Sequence, residues 1–460
     1  MRLHSSIALA ALAAAIVVPA AAQAKPRHHA AAAAEPVEGN LTTAEQLQLA
    51  QQQMAMLQAQ LNALQAKIDA QAAGTPAATE ATKLAADANA KADKALAAAT
   101  DAKATVAKTD KKVGAMAWAA DTKISGRMYF NISSINAEDP AGTNLEKRGG
   151  FQIKRFYVGI DHKFNDVFAG NITVDVDNVV GNGSGTICAD GTTAKGCNLV
   201  GKGLYIKKAY LQAKLSKAFD VRLGSDDLPW IPYVESVYGY RHLEKTIADL
   251  DGFGTSADWG AHVRGELAGG LINYQVSAVN GGGYRNNTFT QNVDVEGRIN
   301  LVYKGFNAAV GGYTGKLAND QRGVTTLHTA QRFDALLAYK GTAGKVGYSI
   351  GAEYLYAKNW KRVLSVTEDT TEGYSLFASV SPLPKWSVFG RYDWIKPSKD
   401  LNPTQHSNYY NVGVQYEPVK IVDLALLYKR TDATAGLGIG DLAAGQRKRE
   451  EIGLYGQLRF

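Results

Sequence analysis

From residue 123 to the end of the chain, apolar and polar residues alternate with a period of two. Ile124, Met128, Phe130 and Ile132 fall on one face of the first such segment, and Arg127, Tyr129, Asn131 and Ser133 on the other. That period marks a strand with one face in apolar surroundings. It recurs often enough to predict sixteen strands, near 123–135, 151–163, 167–177, 204–215, 219–226, 256–267, 271–280, 293–303, 306–316, 331–340, 345–357, 371–381, 385–396, 407–417, 421–431 and 448–460.

The segments between these strands alternate in length. Phe164-Asn165-Asp166, Ser216-Lys217-Ala218, Ala268-Gly269-Gly270, Gly341 to Gly344 and Pro382-Leu383-Pro384 are short. The segments 136–150, 178–203, 227–255, 281–292, 317–330, 358–370, 397–406 and 432–447 are long. An even-numbered antiparallel barrel puts its short turns at one end and its long loops at the other. Closure has a physical cause, because in hydrocarbon an open sheet edge leaves N–H and C=O groups without partners. The fold expected for residues 122–460 is therefore a 16-stranded antiparallel transmembrane β-barrel. Trp386, Tyr392, Trp394, Tyr354 and Tyr356 gather toward strand ends, where an interfacial girdle belongs.

Residues 1–121 follow another rule. Residues 1–24 read as a secretory signal, with Arg2, an apolar run from Ile7 to Val18, and Ala22-Gln23-Ala24 at a small-x-small cleavage site. The run is too short to span ~30 Å of hydrocarbon. Residues 25–39 are Ala/Pro-rich and expected to be disordered. Residues 40–121 are expected to form a periplasmic helical coiled-coil segment. Leu47, Met54, Leu61 and Ile68 recur every seven residues, with Ala50, Leu57 and Leu64 at the second seam position. After Gly74-Thr75-Pro76 a weaker register follows, Ala85, Ala92, Ala99, Val106 and Val113. A coiled coil needs a partner strand, so the segment predicts an oligomer. A solvated Ala-rich linker helix is the alternative for both halves, and carries more weight in the second.

Composition changes this picture in a few places. Mean hydropathy is −0.19, yet a chain without an apolar 20-mer can live in a membrane when its apolar residues alternate along strands. Cys188 and Cys197, the 2 cysteines, sit in a Gly/Thr-rich stretch. In an exported protein a local disulfide is expected, and no nearby histidines favour a metal site. The net charge of +7 is spread one or two residues per strand. It forms no basic run beside stacking aromatics, so nucleic acid is not an expected partner. There is no nucleotide loop, and no Gly-x-Ser-x-Gly leads from a strand into a helix. His162 reads as outward-facing and His262 as the main histidine in the lumen. Neither enzymatic activity nor a cofactor is expected.

Three stretches carry a family resemblance: Lys123-Ile124-Ser125-Gly126-Arg127, then Phe151-Gln152-Ile153-Lys154-Arg155-Phe156-Tyr157-Val158-Gly159-Ile160, and Lys208-Ala209-Tyr210-Leu211. Over roughly residues 115–460 the chain resembles the phosphate-selective porins O and P and their relatives. The resemblance implies a homotrimer of barrels among outer-membrane lipids, with the N-terminal segment in the periplasm. It also implies a third long loop folded into the lumen as a basic constriction. The terminal Phe460 resembles the signal read by the barrel-assembly machinery. In the third long connection, 227–255, Trp230, Pro232, Tyr238, Tyr240 and Leu250 are too apolar for a free surface loop. Tyr238, Arg241 and Lys245 are its constriction candidates, with His242 beside them. Glu235, Glu244, Asp249 and Asp251 make its charge mixed.

If apolar alternates face lipid, the other alternates face the channel. The candidate pore-lining, anion-binding residues are Arg127, Arg155, Lys163, Lys208, Lys214, Arg222, Arg264 and Arg298. The first six are expected on one wall. Rings of Arg and Lys attract anions at close quarters, and the planar fork of arginine suits phosphate. The expected function is passive diffusion of small anions, phosphate or polyphosphate among them. The alternatives are a weakly selective diffusion porin and a barrel that anchors an envelope tether through its coiled coil.

Overall fold

The computed structural model describes residues 76–177, 203–320 and 324–460, with isolated positions between 52 and 66. The signal, the Ala/Pro-rich segment, most of the first heptad stretch and both cysteines lie outside the described residues. The chain forms two units, Met1–Ala120 and Asp121–Phe460. In the first, helix α1 (Pro76–Ala120) runs for 45 residues. Proline opens it, where its missing N–H costs nothing, and alanine and lysine, both strong helix formers, dominate its interior.

The second unit is built from β1 (Thr122–Glu138), β2 (Asn144–Lys163), β3 (Phe168–Asp177), β4 (Gly203–Lys214), β5 (Asp220–Asp227), β6 (Ala257–Leu267), β7 (Ile272–Val279) and β8 (Asp294–Tyr303). It continues with β9 (Phe306–Gly315), β10 (Ala330–Ala343), β11 (Val346–Lys358), β12 (Thr370–Leu383), β13 (Trp386–Lys396), β14 (Ser407–Val419), β15 (Val422–Ala433) and β16 (Lys448–Arg459). Each strand pairs with its neighbours in sequence, and β1 pairs antiparallel with β16 to close the barrel. At the seam the Gly126 N–H donates to the Phe460 carbonyl at 2.9 Å and the Phe460 N–H returns the bond at 3.0 Å.

One expected long connection is absent. β1 and β2 stay paired from Ser134↔Gly149 to Ala137↔Glu146, leaving only 139–143 as the turn. Lys147, Arg148, Gly149 and Gly150 break the alternation there, because a ribbon wetted on both faces needs none.

The faces are the reverse of a soluble protein's. Ile132, Ile172, Leu223, Ile299, Leu337, Leu376, Leu426 and Leu454 point outward and are exposed, whereas Asn131, Thr173, Gln275, Glu296, Asp334, Asp393 and Gln457 point inward and are buried. An outer apolar band around a polar interior is the surface of a membrane barrel. No described helix is long and apolar enough to cross a membrane.

The apolar core lies inside the barrel, under the third long connection. There α2 (Ile231–Tyr238) and α3 (Ile247–Leu250) are set in the lumen. Trp230, Ile231, Val234, Tyr238, Ile247 and Phe253 pack on Leu336, Leu355, Phe377, Ile395, Ile439 and Leu442. Trp230 is fully buried. A side chain of its class removes roughly 200 Å² from water, worth up to about 5 kcal/mol at about 25 cal/mol per Å².

Candidate functional site

Polar contacts fasten the inserted loop as firmly as its apolar side. Four cations each donate to a loop carbonyl. Lys154 reaches Leu243 at 2.7 Å, Arg332 reaches Phe253 at 2.6 Å, Lys361 reaches Asp251 at 2.9 Å, and Arg391 reaches Lys245. Arg332 also donates to Asp334 at 2.7 Å and to Glu296 at 3.1 Å, so its buried guanidinium is satisfied on every side. Glu296 accepts from the Trp230 backbone N–H, and Glu353 from its indole, both at 2.9 Å. Lys429 sits among Glu244 at 2.6 Å, Asp441 at 2.7 Å and Glu451 at 3.3 Å. Burial alone would raise the Glu244 carboxyl, but Lys429 and Lys154 outweigh it and hold the pKa well below the usual range.

With the loop packed on β10 to β15, a passage is left between the loop and the opposite wall. It is a cavity of about 710 Å³ bounded by β1 to β4, β16 and the loop residues Pro232, Glu235, Ser236 and Arg241. Its cationic lining is Lys123, Arg127, Lys207, Lys208, Arg241 and Arg459, against the acids Asp161, Asp227 and Glu235. Lys208 is tied to Asp227 at 2.9 Å, Arg241 to Glu235, and Arg459 to Asp423 at 3.1 Å. Arg127 donates only to the Tyr129 hydroxyl at 3.3 Å, and the Lys207 ammonium lies 5.0 Å from the centre of the Tyr157 ring. Among the described residues neither has a carboxylate within ion-pair distance; Glu235 acts on both from farther off and Asp227 on Lys207, so these two cations face the passage with their charge offset less directly than that of the paired ones.

Of the eight candidate lumen cations, Arg127 and Lys208 therefore border the passage. Arg155 is drawn into an ion pair with Asp175 at 2.7 Å. Arg222 bonds Asp226 at 3.1 Å and Asp220 at 3.3 Å, and Arg264 shares Asp226. Lys163 pairs with Asp166 at 2.7 Å at the short-turn rim, and Lys214 lies exposed at the same end of β4. Arg298 lies on another part of the wall, its guanidinium 3.8 Å from the centre of the Tyr233 ring.

The loop candidates also divide. Arg241 lines the passage. Tyr238 is buried against Phe377 and Asn411, where it anchors the loop. Lys245 pairs with Asp249 at 3.3 Å. His242 is buried against Gln415, and burial, assisted by Lys154, pushes its pKa down to about 3, so it adds no charge. His262 is wholly buried with one ring nitrogen 2.9 Å from Ser277 Oγ and the other 3.3 Å from the Gly224 carbonyl. Both nitrogens serve the barrel wall, and Ser277 is equally inaccessible to a substrate.

Strict alternation misses Lys154 and Lys207. β2 slips against β1 between Tyr129 and Phe130, and β4 slips against β3 between Thr173 and Val174. Each slip is a bulge that turns one extra residue inward. As a result Lys154 joins Arg155, and Lys207 joins Lys208, on the lumen side. The signal was present in the sequence as two adjacent basic residues inside a membrane strand. A lysine or arginine on the lipid face costs about 2–4 kcal/mol at mid-depth, so a bulge that brings both inward is the cheaper backbone.

No known family model and no curated protein matches the chain. Its barrel is similar to an anion-selective porin from Comamonas acidovorans, with a TM-score of 0.53, 13% identity, and coverage of 74% of this chain and 99% of that one. OmpF of Salmonella typhi in complex with daunomycin follows at TM-score 0.49 and 13% identity, over 74% of this chain and 97% of that one. The outer membrane channel DcaP of Acinetobacter baumannii gives 0.46 and 14% over the same shares. The chain thus has the fold of a porin-type sixteen-stranded barrel.

Proposed function

We propose that the chain is an outer-membrane porin through which small anions diffuse, phosphate among them. The observation that carries this reading is the passage beside the inserted loop, where Arg127 and Lys207 face the lumen with no carboxylate within ion-pair distance among the described residues. An anion crossing there exchanges part of its hydration for cationic groups that release it again. The phosphate specificity rests on the resemblance to the phosphate-selective porins and on the suitability of arginine for oxyanions. The heptad registers before the barrel favour an oligomer with a periplasmic stalk, the resemblance to the phosphate-selective porins makes it a homotrimer, and Phe460 is the element offered to the barrel-assembly machinery. The test is a planar bilayer with a KCl gradient, followed by added phosphate. Anion-selective steps blocked by low phosphate are expected. Large steps without selectivity would refute the anion reading.

A second reading, a weakly selective diffusion porin, is favoured by the ion pairs that cancel most lumen charge, Arg155 with Asp175 and Lys208 with Asp227 among them. The same bilayer measurement separates the two. Deleting residues 40–113 tests the tether: lost envelope integrity with normal conductance assigns that role to the stalk.

A further inference from the structure

On the short-turn side of the inserted loop lies a second lumen cavity, of about 540 Å³, which meets the passage at Ser236. Its polar groups come from β7, β8 and β9 as Asn273, Arg298, Asn300 and Asn307, with Lys340 from β10 and Tyr233 from α2. Among the described residues no aspartate or glutamate lines it. That separates it from the passage, whose cations are largely answered by acids.

Arg298 is held over an aromatic ring. Its guanidinium lies 3.8 Å from the centre of the Tyr233 ring, and its Nη1 donates to Asn300 Oδ1 at 2.8 Å. The Tyr233 hydroxyl is fixed in turn by Asn307. A guanidinium stacked on an aromatic ring presents its remaining edge in one plane, the geometry that matches a carboxylate. Val237, Val302 and Ala338 supply an apolar lining beside it. A cavity of this size is in the range that encloses an organic ligand, far larger than one inorganic anion needs.

We infer that this cavity is a binding station for a small organic carboxylate, its head on Arg298 and Lys340 and its carbon body on the apolar lining. The station rests on the reading of the barrel as a solute channel and names the class of solute it retains. Ser236 lines both this cavity and the passage. The station holds the carboxylate by one charge-assisted fork and releases it through the short-turn mouth.

The test is equilibrium binding of hexanoate, acetate and inorganic phosphate to the full chain in detergent. Hexanoate is expected to bind more tightly than acetate or phosphate. Arg298→Gln should weaken it by about tenfold or more, the usual weight of a hydrogen bond to a charged group. Arg298→Lys, which keeps the charge and loses the plane, should recover little of that loss. Lys399→Gln, whose ammonium pairs with Glu372 at 2.8 Å away from both cavities, should leave hexanoate binding unchanged. Phosphate binding as tightly as hexanoate, full affinity in Arg298→Lys, or an Arg298→Gln affinity within twofold of the parent would each overturn the inference. Bilayer recording of the same preparations separates the two readings. Anion-selective channels without Arg298-dependent binding refute the station alone. Arg298-dependent binding without channels refutes the porin.

Discussion

Replacing Lys207 with glutamine removes one positive charge from the passage and leaves the ion pairs around it in place. Lys207 reaches the lumen only through the bulge in β4, and it rests on the Tyr157 ring with no carboxylate partner among the described residues. For an anion passing at about 6 Å, the charge contributes about 0.7 kcal/mol at the dielectric of water and about 3 kcal/mol at an effective value near 20. The wet limit applies best to an open lumen. It changes the anion's occupancy by about threefold and the cation's by about threefold in the opposite sense, so the selectivity ratio falls by about tenfold. At 0.1 M salt, with a screening length of about 10 Å, the change shrinks to about three- to fourfold. The assay is the reversal potential across a KCl gradient at low and moderate salt. Lys163→Gln is the control, since Lys163 pairs with Asp166 at the rim, away from the passage. An unchanged reversal potential in Lys207→Gln, with normal conductance and the control equally silent, would refute the assignment of selectivity to this wall.

Lys429→Met would leave Glu244, Asp441 and Glu451 facing one another around a missing cation. Stripping one partner from a buried pair costs about 3–5 kcal/mol, so the inserted loop should loosen and single channels become noisier and larger; steady currents of parental size would contradict the anchoring role. Burial, reinforced by Asp393, raises the Asp251 carboxyl from its ordinary 3.8 to about 7. The folded state therefore holds this proton more tightly than the unfolded chain, and stability is full below about pH 4 and falls as pH rises through 7. Asp251→Asn should flatten the decline in melting temperature between pH 4 and 8, and parallel profiles for variant and parent would count against it. Gly224 has φ +127°, and a Cβ there would lie 2.1 Å from the Ala209 carbonyl oxygen. Gly224→Ala should cost roughly 1–3 kcal/mol or more and lower the melting temperature, and an unaltered melting curve would rule that out.

The alternation of residues 123–460 was enough to place sixteen strands, because lipid on one side and water on the other act on every second residue wherever the strand lies. The long–short rhythm of the connections gave antiparallel closure for the same local reason. The last strand alternates as expected, Ile452, Leu454 and Leu458 against Glu451, Tyr455 and Gln457, and pairs with β1. In the loop 227–255, Trp230, Tyr238 and Tyr240 are too apolar for open water and required a packing partner, the lumen wall or a neighbouring subunit; the structure puts them on the lumen wall.

What alternation left open is non-local. A bulge is a mismatch between two strands, so Lys154 and Lys207 acquire their lumen position from the registers of β1 with β2 and of β3 with β4. Whether a charge acts on a solute depends on what stands opposite it across the barrel. Arg155 is paired with Asp175 of the neighbouring strand β3 while Arg127 has no carboxylate within ion-pair distance, and nothing in their own strands tells these two apart; Arg222, by contrast, pairs with Asp220 and Asp226 of its own strand. His242 reads as basic in sequence and is neutral in place because the loop buries it. The sequence by itself determined which faces meet lipid, because that is a one-residue preference repeated along each strand. The tertiary structure decided which charges remain free in the passage, because that is a property of pairs brought together only when the barrel closes and the loop folds in.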